Sequence, residues 1–257
     1  AERKEAGEQA FAQLGGLSTQ PEMTNDPTRR GHMWVMRNGL YTKVMRNRPK
    51  GTMALLEDIA VPMEQLGGVC TELQTLFDKH RYEGAVIFGH AKNGNIHFLV
   101  TEDFAGPESL NRYDEFTEDM VDLVLREQGT LKAEHGTGRI MSPFVRRQYG
   151  DDLYQAMVDI KDACDPQRIL NPGTIITDDP ELHLKYIKPT ESVRELIDDC
   201  VECGYCEPVC PSQHLTTTPR QRIVLQRAIA ACEATGAYEL AEKLKEQEVY
   251  DVVQTCA

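Results

Sequence analysis

The pattern of apolar and polar positions divides the chain into stretches of different character. Residues 1–33 contain Gly15-Gly16, Pro21, Asn25-Asp26-Pro27 and Arg29-Arg30-Gly31 without a sustained apolar period, which reads as a linker or the end of a preceding domain. An apolar run from Met53 to Pro62 predicts a strand. Between Met63 and His80, Leu66, Val69, Cys70, Leu73, Leu76 and Phe77 recur at helical spacing. Two short runs rich in β-formers, Gly84 to Gly89 and Ile96 to Val100, flank Asn93-Gly94 and predict a β-hairpin. Helices are expected over Tyr113 to Gln128 and over Phe144 to Cys164. The second should break near Gly150 and stop at Asp165-Pro166, because proline disfavours a helical predecessor. The order β-α-β-β-α is that of a split βαβ layer, so the fold class is α+β, an antiparallel sheet with helices. Leu170-Asn171-Pro172-Gly173 closes this unit. A short helix over Glu191 to Asp199 then leads into a cysteine-rich loop, and Pro219 to Glu233 and Tyr238 to Thr255 suit two helices of a small all-α appendage. The expected division is 1–33, 34–180 and 181–257.

Length and charge set the outer limits. At 257 residues the chain can bury a full core and hold one large domain plus an appendage. A net charge of −13 argues against nucleic acid or an anionic membrane as partner, since either requires a basic surface. Every apolar run is too short to span a bilayer. The chain opens at Ala1 with charged, helix-prone residues and neither an initiating methionine nor a signal-peptide pattern, so it reads as a fragment of something longer.

Cysteine spacing adds chemistry. Cys200, Cys203, Cys206 and Cys210, followed by Pro211, form C-x2-C-x2-C-x3-C-P, the ferredoxin spacing for iron–sulfur cubanes. Zinc ribbons pair two C-x2-C knuckles about fifteen to twenty residues apart, and disulfide frameworks belong to small secreted chains. The expectation is therefore 4Fe-4S ligation in a reducing compartment, with the protein cytoplasmic or peripheral at the inner face of a membrane. In two-cluster proteins the fourth cysteine serves the other cluster. Only Cys232 and Cys256 follow Cys210, so Cys256 reads as the first ligand of a truncated second motif. Little or no cluster is then expected in the chain alone. Cys70 and Cys164 should pack as small hydrophobes.

The hairpin carries a second constellation. With Asn93-Gly94 at the centre of a type I′ turn, Lys92 pairs with Asn95, Ala91 with Ile96 and His90 with His97. Directly opposed Cβ atoms lie about 4.5–5.5 Å apart, close enough for both rings to bind one cation. Two neutral imidazoles suit zinc, manganese or iron, and a carboxylate such as Glu134 in Ala133-Glu134-His135-Gly136-Thr137-Gly138 would complete the site. The same pattern also suits two ordinary surface histidines and a bare glycine turn.

Taken together, Gly89 to His97, Ala133 to Gly138, and Asp165-Pro166 through Leu170-Asn171-Pro172-Gly173 resemble the C-terminal, substrate-capping half of the FAD-linked D-2-hydroxyacid dehydrogenases, flavoenzymes of the vanillyl-alcohol-oxidase type. The likeness runs from about Trp34 to Ile176, and the cysteine motif is similar to the ferredoxin-like iron–sulfur tail of D-lactate and glycolate members. It implies a ferredoxin-like split βαβ sheet for the cap. It also implies that His90, His97 and Glu134 hold a divalent metal, zinc or manganese, that His135 is the base, that Arg37 binds the substrate carboxylate and that Asn171 approaches the flavin. Arg37 alternatively belongs to a basic stretch with Arg46, Arg48 and Lys50, and Asn171 to a helix-terminating turn.

Departures from the family pattern sharpen the expectation. Asn93 replaces the usual aspartate of the hairpin, removing a negative charge near the metal. No lysine shortly precedes Asp58 in Ala54-Leu55-Leu56-Glu57-Asp58, which favours a small acid such as D-lactate over D-2-hydroxyglutarate. Nothing in residues 1–33 supplies a pyrophosphate loop, and Gly136-x-Gly138 is too short for one, so FAD would be bound mainly by a preceding domain and the chain alone would be inactive. In the whole enzyme, electrons would pass from FAD to the clusters and on to a quinone, a heterodisulfide-type partner or an electron-transfer flavoprotein. Two alternatives stay open: a redox-sensing or electron-transfer module without substrate chemistry, and a domain with a structural metal acting on an alcohol or aldehyde. Glycolate also remains a candidate substrate.

Overall fold

A computed structural model describes residues 2–13, 22–104, 106–187 and 190–248. Two helices open it, α1 (Glu2–Ala12) and α2 (Pro27–Arg46). The second occupies a segment whose Asn-Asp-Pro was expected to be a turn. Asp26 caps it by accepting from the Thr28 N–H at 2.8 Å, and Pro27 sits in the first turn, where a missing N–H costs nothing. Asp-Pro therefore starts a helix here, and only Met45 of α2 is buried, so no apolar period was available to reveal it.

The sheet follows as β1 (Met53–Ala60), α3 (Leu66–Lys79), β2 (Val86–His90) and β3 (Asn95–Glu102). Its order is β1-β3-β2, with β3 antiparallel to both neighbours. β1 and β2 thus run parallel with a third strand between them, the split βαβ arrangement. Helix α4 (Pro107–Arg126) begins six residues earlier than its apolar period suggested, again with proline in its first turn. Helix α5 (Val145–Cys164) breaks at Gly150 (φ 79°, ψ 171°) and ends before Asp165, as expected.

Side-chain alternation gives the sheet two unlike faces. Leu55, Ile59, Ile96, Phe98 and Val100 point into the core with Val69, Leu73 and Phe77 of α3 and Tyr113, Phe116, Met120 and Val124 of α4. Phe77, Phe98 and Phe116 form an aromatic cluster with ring centroids 5.6–6.0 Å apart. Each such side chain contributes about 1.5–3 kcal/mol of burial. The other face carries Leu56, Asp58, Phe88, His90 and His97, and it floors a cleft.

After the short α6 (Glu195–Asp198), which is confined to the second half of the predicted helix, come the cysteine loop and an antiparallel pair, α7 (Pro219–Ala234) and α8 (Tyr238–Glu248). Thr218 and Gln221 form a reciprocal capping box at the start of α7. Cys70 packs against the core as expected, but Cys164 is exposed, so it does not pack as a small hydrophobe. Cys256 lies outside the described residues.

Candidate active site

The hairpin register differs from the expected one by two residues. His90 pairs with Asn95, Gly89 with Ile96 and Phe88 with His97. Ala91–Asn93 form a single tight turn that ends on Gly94 in the left-handed conformation, so four residues rather than two link the strands. The reason lies at Gly94, whose carbonyl accepts the Val61 N–H at 2.9 Å; a Cβ there would stand 1.9 Å from the Val61 carbonyl oxygen. Docking the turn on the end of β1 sets its length. A shift of two preserves the face, and His90 and His97 become diagonal neighbours with ring centroids 5.3 Å apart.

The two imidazoles aim at one atom. Glu134 Oε1 lies 3.0 Å from His90 Nε2 and 2.9 Å from His97 Nε2. His135 stacks on His97 with centroids 4.9 Å apart and planes 12° from parallel. Arg37 places Nη2 3.4 Å from His90 Nε2 and lies over the Trp34 ring, 5.6 Å from its centroid. Arg37, His90, His97, Glu134 and His135 all line one cleft of about 730 Å³. Five side chains singled out in the sequence are therefore brought together from α2, the hairpin and the loop after α4.

Asp58 organises the site from beneath. Its Oδ2 accepts the consecutive N–H groups of Ala133 (3.0 Å), Glu134 (2.6 Å) and His135 (2.8 Å). Its Oδ1 accepts from Asn95 Nδ2 at 2.6 Å and lies 3.4 Å from His97 Nδ1. Burial pushes the Asp58 carboxyl upward, but the N–H donors of Glu134, His135, Asn95 and Ala133 outweigh it and hold the pKa below the ordinary value. Asp58 is near enough to join a ligand set with His97, Glu134 and His135. Its oxygens are committed to those donors, however, so it acts as the orienting carboxylate behind His97. Burial lowers the His97 pKa despite the attraction of Asp58 and Glu134, which favours the neutral imidazole a metal requires. The Nε2 atoms of His90 and His97 beside a Glu134 carboxylate oxygen are a donor set of the kind that zinc, manganese or iron takes.

Residues 1–175 match the family described as FAD linked oxidases, C-terminal domain. The chain belongs to that family. A probable mitochondrial D-lactate dehydrogenase from Danio rerio is 28% identical over 151 residues, which are 59% of this chain and 30% of the relative. A D-2-hydroxyglutarate dehydrogenase from Pantoea ananatis is 30% identical over 196 residues, 67% of this chain and 19% of the relative. The cytochrome-type mitochondrial D-lactate dehydrogenase 1 of Saccharomyces cerevisiae is 28% identical over 174 residues, 66% and 29% of the two chains. The chain spans less than a third of the length of each.

Two further features lie away from the histidines, Asn171 within the matched residues and the cysteine loop beyond them. Asn171, left-handed at φ 44°, lines a separate cleft with Lys161, Arg168 and Thr177. Its segment reaches the His135 loop through the Ile175 N–H and the Gly138 carbonyl, 3.3 Å apart. The cysteine loop turns on Glu202 (φ 57°) and Gly204 (φ 81°), and the Glu202 N–H donates to Cys200 Sγ at 3.4 Å. Buried Arg227 holds the loop through the Cys200 carbonyl (2.9 Å) and Glu202 (2.7 Å). Four thiols on such a turn, one already receiving a backbone N–H, suit iron–sulfur ligation.

The residues missed in the sequence are Asp58, Asn95, Tyr41 and Tyr205. The first two act through hydrogen bonds across long sequence separations. Tyr41 lines the cleft from a segment that carried no motif, and Tyr205 from a variable position inside the cysteine motif.

Proposed function

We propose that this chain is the substrate-capping part of an FAD-dependent dehydrogenase that oxidises a small D-2-hydroxyacid, D-lactate-like, to the 2-oxoacid. The reading is carried by the convergence of His90 and His97 Nε2 on Glu134 beside Arg37 and His135. His90, His97 and Glu134 hold the divalent ion, and the Asp58 carboxylate stands 3.4 Å from His97 Nδ1, behind the ring. Arg37 offers the planar guanidinium that pairs with a carboxylate, orienting the acid. His135 removes the hydroxyl proton. When bound, the metal supplies Lewis acidity toward that hydroxyl and FAD supplies the hydride acceptor.

The absence of a lysine from Ala54-Leu55-Leu56-Glu57, shortly before Asp58, supports a small acid over D-2-hydroxyglutarate, with glycolate the alternative. Cys200, Cys203, Cys206 and Cys210 ligate iron–sulfur and carry electrons onward to a quinone or an electron-transfer protein. No helix among the described residues is long and apolar enough to cross a membrane.

Elemental analysis tests this reading. Anaerobically purified protein should contain one equivalent of zinc, manganese or iron that a His90→Ala, His97→Ala double variant lacks. Equal metal content in the two proteins would refute the assignment.

A further inference from the structure

The cysteine loop does not stand apart from the histidine cleft. Tyr205, set between Cys203 and Cys206, lines that cleft with Leu56, Phe88 and Tyr41, and the residue is 70% exposed. Tyr41 of α2 also lines a smaller cavity behind Cys200 and Arg227, so the two spaces share a wall. The stretch leading into Tyr205 is fastened by two arginines from different helices or their ends. Arg227 grips it from α7, and Arg48 donates to the Asp198 carbonyl at 3.2 Å and the Cys200 carbonyl at 3.3 Å.

The lining of the cleft combines two chemistries. Arg37, His90, Glu134 and His135 offer polar groups suited to the carboxylate and hydroxyl of a 2-hydroxyacid. Leu56, Phe88 and Tyr205 add apolar surface, with Phe88 directly beside His97 at 5.5 Å between ring centroids. A substrate anchored at Arg37 and at the histidines has this apolar surface within the same cleft for its Cα substituent. The grips on Asp198, Cys200 and Glu202 set the course of the loop that leads into Tyr205.

We propose that Tyr205 is a specificity-determining residue: presented by the cysteine loop, its ring limits the size of the Cα substituent that the cleft accepts. The proposal rests on the hydroxyacid reading above. It adds a role for the iron–sulfur loop in substrate choice beyond electron transfer.

The test compares D-lactate with D-2-hydroxy-4-methylpentanoate in the FAD-loaded holoenzyme, for wild type, Tyr205→Ala and Tyr205→Phe. One extra or missing methylene in a hydrophobic pocket is worth about 10–200-fold. Tyr205→Ala should therefore shift the ratio of KM values about tenfold toward the longer acid, while the ratio of kcat values moves little. Tyr205→Phe should keep the wild-type ratio, because the ring forms the wall. Dissociation constants for both acids, from water-proton relaxation on manganese-loaded protein without turnover, should shift in parallel. If wild type oxidises D-lactate and Tyr205→Ala leaves both ratios unchanged, the role of Tyr205 is overturned and the hydroxyacid reading stands. If wild type oxidises neither acid nor binds either on manganese, the hydroxyacid reading falls and this proposal falls with it.

Discussion

At the scale of single residues, the site is organised by a buried carboxylate beneath the cleft. Asp58 accepts three successive backbone N–H groups on one oxygen, fixing where Glu134 and His135 stand, and faces His97 with the other. Asp58→Asn would point an amide at those donors or leave them with a weaker acceptor. Metal affinity, measured by chelator competition, should fall about 10–100-fold, the usual cost of losing an orienting partner behind a metal-bound histidine. His135→Asn should behave differently: metal content stays, and flavin reduction in stopped flow slows by about 10²–10⁴, the span of a lost general base. Normal reduction in that variant would refute the assignment. His90, His97 and Glu134 could be singled out by ligand type and hairpin spacing, whereas Arg37 and His135 were reached only through the family resemblance, because one arginine in a basic stretch and one histidine in a glycine turn carry no pattern of their own. Asp58 was not legible in the sequence, because its partners are backbone amides some 75 residues away, and amides carry no residue identity.

At the scale of elements, the apolar period located the sheet and α3 closely because both bury one face, and burial writes the period. It failed for α2, whose side chains are mostly exposed and whose start is set by Asp26 and Pro27. It also gave the hairpin the wrong pairing. Asn-Gly favours a two-residue turn locally, yet docking of Gly94 on Val61 imposes a longer one. Gly94→Ala should therefore be costly. A left-handed alanine costs about 1–2 kcal/mol, and the 1.9 Å approach to the Val61 carbonyl must also be relieved. A loss of at least about 2 kcal/mol in urea unfolding is expected, together with weaker metal binding, because the turn sets the relation of His90 to His97.

At the scale of the whole molecule, the basic stretch at the end of α2 finds its partners in the tail. Arg46 pairs with Asp199 and Lys50 with Glu195, while Arg48 reaches the carbonyls of Asp198 and Cys200. The two ion pairs are exposed and worth at most about 1 kcal/mol each, so the grip depends more on Arg48 and on the buried Asp198. Burial raises the Asp198 carboxyl, but the Ser192 hydroxyl, the Val193 and Arg194 N–H groups and the nearby Arg227 charge together hold its pKa below the ordinary value. A depressed folded-state pKa stabilises above the unfolded value near 4, and the contribution is lost as pH falls through the folded value. Hydrogen exchange of residues 192–202 should therefore quicken as pH drops below about 4, after correction for intrinsic rates, while the β3 amides keep their protection; unchanged exchange there would contradict the role of Asp198.

That junction bears on how such a chain can be recombined. Arg48 and Cys200 are 152 positions apart in sequence yet joined by a hydrogen bond, so a chimera that keeps residues 1–180 and imports another cysteine tail cuts between two halves of one joint. A working graft has to carry the end of α2 along with the tail. For shuffling or inheritance, the unit is therefore not the linear domain but two distant segments that travel together.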